Sequence, residues 1–134
     1  MSRLIAVSNR VADPRAGTAA GGLAVGLLAA LKKHGGVWFG WGGQTCKGEP
    51  SEPQALRRGR ISYVTTDIDE YDFDDYYNGY ANGCLWPLCH YMLGFFRYER
   101  RFGRAYEHVN TLFARKLRPI LQPGDLIWAH DYHL

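Results

Sequence analysis

The sequence predicts an α/β fold built on a parallel, doubly wound sheet. Short strand-like runs recur at residues 4–7, 37–41, 61–66 and 126–129; the first and last are apolar and read as buried, and 61–66 alternates. Segments of helical periodicity lie between the runs. Glycine and proline punctuate the joints. Strands alternating with helices favour parallel pairing through crossover connections.

The first strand, residues 4–7, ends in the polar Ser8-Asn9-Arg10. Residues 11–20 carry Pro14 and Gly17 and read as a loop. Gly21-Gly22 then opens an Ala/Leu-rich helix over 23–34, with Lys32 and Lys33 in its last turn and Gly35-Gly36 as its stop. Residues 37–41 form the second strand, 42–59 a long polar loop and 61–66 an alternating third strand. From Asp69 to about Cys84 carboxylates precede aromatics, as suits a helix N-terminus, and Pro87 ends or kinks the helix beyond Cys84. Tyr106, Val109, Leu112, Phe113 and Leu117 give 104–117 an amphipathic face, with Pro119 at its frayed end. A turn at 122–125 leads into the last strand.

Composition narrows the function classes. A chain of 134 residues fits one domain, and 46% hydrophobic with 22% charged residues excludes global disorder. The net charge of +3 is too small to imply a nucleic-acid partner. The weakly polar run 19–31 has three glycines and falls short of the ~20 apolar residues of a membrane span, so no membrane association is expected. It lies too far in to read as a signal peptide. Three cysteines (Cys46, Cys84, Cys89) make no disulfide framework and favour a reducing, cytoplasmic setting. Aromatics make up 14% of the chain, and such rings pack cores or stack on sugars.

Three constellations bear chemistry. Glycines at a helix start let backbone N–H groups approach a phosphate, so Gly21-Gly22 is either a phosphate-binding helix start or a plain tight turn. The pattern is neither a dinucleotide fingerprint nor a P-loop. Arg10 ends a strand on the same rim, as a phosphate ligand or a surface ion-pair partner. Asp131, within His130-Asp131-Tyr132-His133, comes after a buried strand and suits hydrogen bonds to sugar hydroxyls or a base. On an extended strand His130 and His133 face opposite ways, which disfavours a shared metal and favours a structural role. Trp86, before Pro87, is a core residue or a sugar platform. Cys84, Cys89 and His90 lack haem or zinc spacing, and no calcium loop is present among Asp67–Asp75. The residues alone support a domain binding a phosphorylated, hydroxyl-rich small molecule.

Taken in order, the segments 3–10, 21–26, 38–41, 76–78, 85–87 and 130–134 make the chain resemble the N-terminus of the α,α-trehalose-phosphate synthases, UDP-forming retaining glycosyltransferases. The resemblance implies a partial, Rossmann-like acceptor-side domain of a two-domain GT-B fold, whose donor-binding C-terminal domain lies beyond residue 134. It implies transfer of glucose from UDP-glucose to glucose 6-phosphate, giving trehalose 6-phosphate and UDP. Arg10 would hold the acceptor phosphate, Tyr77 a second acceptor contact, and Trp41 and Trp86 the acceptor sugar. Gly22 and Leu23 would meet the donor diphosphate. Asp131 would orient the reacting sugars, with no protein nucleophile and no cofactor. The segment alone is expected to be inactive, and a homo-oligomer is one option for the full-length chain. Same-fold transfer to another phosphorylated acceptor, as in glucosylglycerol-phosphate synthases, and a non-catalytic sugar-phosphate module are the rival readings. Thiols at Cys84 and Cys89, where the family tends to carry larger groups, imply altered packing near Trp86.

No convincing ligand set for a metal emerges from these motifs. Elemental analysis of the dialysed protein is expected to find no stoichiometric metal; about one zinc or manganese per chain would overturn this.

Overall fold

A computed structural model describes residues 2–17 and 21–134, so positions 18–20 of the expected loop lie outside the described residues. Five strands form one sheet in the order β3-β4-β2-β1-β5. They are β1 (Leu4–Arg10), β2 (Gly36–Cys46), β3 (Gln54–Arg58), β4 (Ile61–Asp69) and β5 (Leu126–Ala129). β1 pairs in parallel with β2 and β5, and β2 in parallel with β4. Helices cover both faces, as doubly wound sheets require. The α/β expectation holds.

Strand alternation sorts the two cores. Ile5, Val7, Val37, Phe39, Val64 and Ile68 face α4 (Arg100–Leu117) and its Val109 and Phe113. Phe113 meets Phe39 edge-on with centroids 5.6 Å apart. Ala6, Trp38 and Tyr63 point the other way, onto Leu27 and Leu31 of α1 (Gly22–His34). Full burial of side chains of this size contributes about 1.5–3 kcal/mol each. α4 begins at Arg100, one turn before the apolar periodicity, because Arg100, Arg101 and Arg104 are good helix formers without an apolar face to signal them.

Two expectations need correction. The stretch read as a long polar loop instead continues β2 to Cys46 and then forms β3, which runs antiparallel to β4 with Gln54 opposite Thr65 and Arg58 opposite Ile61. The sheet is therefore mixed, and β3 is its polar outer strand. Pro87, expected to end or kink the second helix, sits inside a continuous helical stretch: α2 (Glu70–Phe73), a π-helical segment (Asp74–Leu85) and α3 (Trp86–Cys89). Pro87 is the second residue of α3 and brings no N–H to the helical ladder. The Gly83 carbonyl, which an α-helical residue 87 would have bonded, accepts from Arg97 N at 2.9 Å instead.

The cysteines stay unpaired, with Cys84 buried and its thiol donating to the Arg97 carbonyl at 2.7 Å. Burial pushes that thiol's pKa up. At the β5 edge Leu126, Ile127 and Trp128 are 62%, 49% and 46% exposed. No helix among the described residues is long and apolar enough to cross a membrane.

A bidentate pair ties the two ends of the chain. Arg3 Nε donates to Asp125 Oδ1 at 2.9 Å and Nη2 to Oδ2 at 2.7 Å, fixing the start of β1 beside the turn before β5. Arg3 holds the Asp125 carboxyl below its usual range, chiefly through these hydrogen bonds. A carboxyl whose pKa is lower when folded stabilises fully above its unfolded pKa, near 4, and loses that contribution as pH falls through the folded value. Arg3→Ala is expected to lower the melting temperature at pH 7, with the gap to the parent closing as pH drops below about 4. A gap that does not change with pH would show that the pair acts through packing alone.

Candidate functional site

The sheet places one opening at a special position. After β1 the chain crosses to β2 through α1, whereas β4 returns to β5 on the far side of β1 through α4. The carboxyl ends of β1 and β5 thus flank a topological switch point, where open α/β sheets bind ligands. A cleft of about 490 Å³ lies there, bounded by the β1 end, the α1 start and the turn after β5. It gathers Arg10, Gly22, Leu23, Tyr77 and Asp131.

The β1 end is shaped by its own irregularity. The parallel ladder to β2 slips between Ser8 and Arg10. Ser8 Oγ donates to the Arg10 carbonyl at 2.9 Å and accepts from Trp38 Nε1 at 2.8 Å. Beyond this bulge the Arg10 guanidinium lies 5.0 Å from the Trp41 ring centre, a cation–π seat. A Cβ on Gly43, whose φ is +97°, would fall 2.0 Å from Arg10 Nη1, so only glycine leaves room for that seat. Among the described residues no carboxylate lies within ion-pair distance of the Arg10 guanidinium, which disfavours the surface ion-pair reading.

α1 begins at the rim. Gly21 precedes it with φ +94°, and no acidic side chain occupies its first turn. The positive end of the helix dipole and its unpaired N–H groups therefore face the cleft without a built-in anion. A Cβ on Gly22 would meet nothing within 4 Å, so the approach is open.

The third wall comes after β5. Asp131 adopts φ 71°, rare for a residue other than glycine, and its Oδ1 accepts from Tyr132 N at 2.9 Å. The turn is anchored from three sides: Tyr106 Oη donates to the Tyr132 carbonyl, Asn110 Nδ2 to the His133 carbonyl, and Tyr132 Oη to Asn82. His133 is 8% exposed and stacks on Tyr77 at 5.4 Å and 10°. Burial lowers its pKa, with Asp131 opposing the shift, so the neutral ring at 4.0 Å from Asp131 makes no ion pair. Because β5 ends at Ala129 and a turn begins, the two histidines are not on a strand at all. Among the described residues no three His, Cys, Asp or Glu side chains gather as a metal set.

Two expected contacts are not part of the cleft. Trp41 seats the Arg10 guanidinium, packs on Phe73 at 4.5 Å and donates Nε1 to the Gln44 carbonyl. Trp86, 44% exposed, packs at a tilt against His90 at 3.7 Å and Tyr132 at 5.5 Å, outside the cleft lining. Asn9, Asp13 and His133 line the cleft, although the sequence drew no ligand contact from them. Asn9 carried a usable signal, being polar at the end of an apolar strand.

The glycosyltransferase family 20 profile matches residues 7–134. The chain belongs to glycosyltransferase family 20. Among curated relatives of this family 20 chain, the trehalose-6-phosphate synthase of Escherichia coli K12 is 48% identical over 136 residues, covering 100% of this chain. The chain spans 28% of that relative's length. A UDP-forming α,α-trehalose-phosphate synthase from Burkholderia xenovorans, solved with glucose-6-phosphate, matches 98% of this chain and 28% of its own at 45% identity and TM-score 0.89. An E. coli structure bound with UDP-2-fluoro glucose covers the same shares at 46% identity and TM-score 0.87.

Gly43→Ala is expected to cost about 1–2 kcal/mol in a denaturant melt, from the left-handed backbone alone, and to push the Arg10 guanidinium off Trp41. A variant structure with Arg10 still seated on the indole would show that the seat does not need glycine.

Proposed function

We propose that this segment supplies the acceptor-side half of a UDP-glucose-dependent glucosyltransferase that makes trehalose 6-phosphate and UDP from glucose 6-phosphate. The observation that carries the reading is the convergence of Arg10, the α1 start, Tyr77 and Asp131 on one switch-point cleft in a family 20 chain. Relatives solved with glucose-6-phosphate and with UDP-2-fluoro glucose support both substrate assignments.

In this reading Arg10 binds the acceptor phosphate through charge-assisted hydrogen bonds, and Trp41 holds the guanidinium in place. Tyr77 contributes a second acceptor contact, while Asp131 accepts hydrogen bonds from the reacting sugars. Trp86 meets the acceptor sugar only from beyond this cleft. Gly22 and Leu23, at the α1 start, face the donor diphosphate, where charge grows as the glycosidic bond to UDP breaks. No protein nucleophile is required. The donor-binding domain, and with it most of the stabilisation of the leaving diphosphate, belongs to the remaining length that the relatives possess. The unpaired thiols are consistent with a reducing cytoplasm.

The test is Arg10→Ala in the full-length gene product that carries residues 1–134. Loss of the charge-assisted contact is expected to weaken the glucose 6-phosphate dependence by about 1.5–3 kcal/mol in kcat/KM. Unchanged kinetics toward glucose 6-phosphate would remove Arg10 from the site and the reading with it.

A further inference from the structure

We infer that Asn9 is a further ligand-binding residue of the cleft, its carboxamide turned by Tyr76 so that the amide N–H groups meet a phosphate oxygen. The inference rests on the proposed function and adds a contact to that site. Asn9 lines the cleft between Ser8 and Arg10, yet it is only 8% exposed. A buried carboxamide must place both its acceptor and its donors.

Its acceptor is committed. Tyr76 Oη donates to Asn9 Oδ1 at 2.6 Å. Tyr76 is wholly buried, and burial keeps its phenol protonated, so this donor persists at every physiological pH. With Oδ1 fixed, the orientation of the amide is set: Nδ2 is the end turned away from Tyr76.

Its donors have no partner among the described residues. No acceptor among the described residues takes a hydrogen bond from Asn9 Nδ2. Among the described residues the buried side-chain polar atoms without a partner are His130 Nε2 and both His133 ring nitrogens, and Asn9 Nδ2 is not one of them. Nδ2 therefore reaches open space, and the open space that Asn9 borders is the cleft. Two N–H donors beside the Arg10 backbone, with no acceptor left over, suit a ligand atom rich in lone pairs. A phosphate oxygen is such an atom, and the site has two sources of it: a sugar phosphate and a nucleoside diphosphate.

The two sources can be separated by titrating glucose 6-phosphate and UDP independently into the full-length gene product by calorimetry. Asn9→Asp keeps the shape and the oxygen that accepts from Tyr76 but replaces the N–H donors with a carboxylate oxygen. It is expected to weaken one of the two ligands by well over tenfold, and Asn9→Ala to weaken the same ligand by about tenfold. The arm that weakens names the ligand. Tyr76→Phe is expected to weaken that arm as well, but to have no further effect when Asn9 is already alanine, a coupling that a packing role alone would not produce. If Asn9→Asp binds both ligands as the parent does while Arg10→Ala loses glucose 6-phosphate, the inference falls and the site assignment stands. If Arg10→Ala also binds as the parent does, both fall.

Discussion

The Ser8 hydroxyl is the joint on which the site hangs. Trp38 is buried in the α1-side core, so its indole N–H needs a partner, and Ser8 Oγ accepts it. The same oxygen donates onward to the Arg10 carbonyl and closes the bulge at the end of β1. An orphaned indole N–H at this depth would cost about 1–3 kcal/mol, which ties the bulge to the stability of the core. Consecutive residues at the end of β1 point in different directions, as strand alternation dictates. Asn9 turns in toward Tyr76, and Arg10 turns out over Trp41.

Aromatic side chains extend this order across the molecule. Trp41, Phe73, Tyr77, His133, Tyr132, Trp86 and His90 form a row with successive centroids 4.5, 5.4, 5.4, 4.2, 5.5 and 3.7 Å apart. The row joins β2, the helical stretch after β4 and the turn after β5, which are far apart in sequence. Aromatic pairs of this kind contribute about 0.5–1.5 kcal/mol each beyond burial. The chain's surplus of rings thus builds a wall that carries Tyr77 and His133 on the cleft side. Trp41 and Trp86 are members of the wall and not of the lining.

How much of the fold is legible in the sequence depends on the range of each interaction. The parallel strands and α1 and α4 announce themselves by local period and by Gly35-Gly36, so residues 4, 37, 61 and 126 fall where strands are found. β3 is hidden because Gln-Ala-Leu-Arg-Arg reads as polar loop, and an outer strand with few buried side chains has no pattern to show. The π-helical segment is hidden because carboxylates leading into aromatics look the same in an α-helix. Arg10, the Gly21-Gly22 start and Asp131 stand out by local chemistry, and Tyr77 only through family resemblance. The orientation of Asn9 does not stand out, since Tyr76 lies 67 positions away. Trp41 is named through family resemblance as a sugar contact, and its seat beneath the Arg10 guanidinium, set by the fold, has no local sequence signal.

The two margins of the sheet are chemically unlike. β3 presents Gln54, Arg57 and Arg58 outward, and such charge discourages another backbone from docking. β5 instead shows Leu126, Ile127 and Trp128 beside hydrogen-bonding groups that pair only toward β1 among the described residues. The sheet therefore has a direction of growth, like a crystal with one passivated face. Added strands can extend it past β5 but not past β3. Accretion on that side leaves the β1–β5 junction, and the cleft above it, in the interior of a wider sheet.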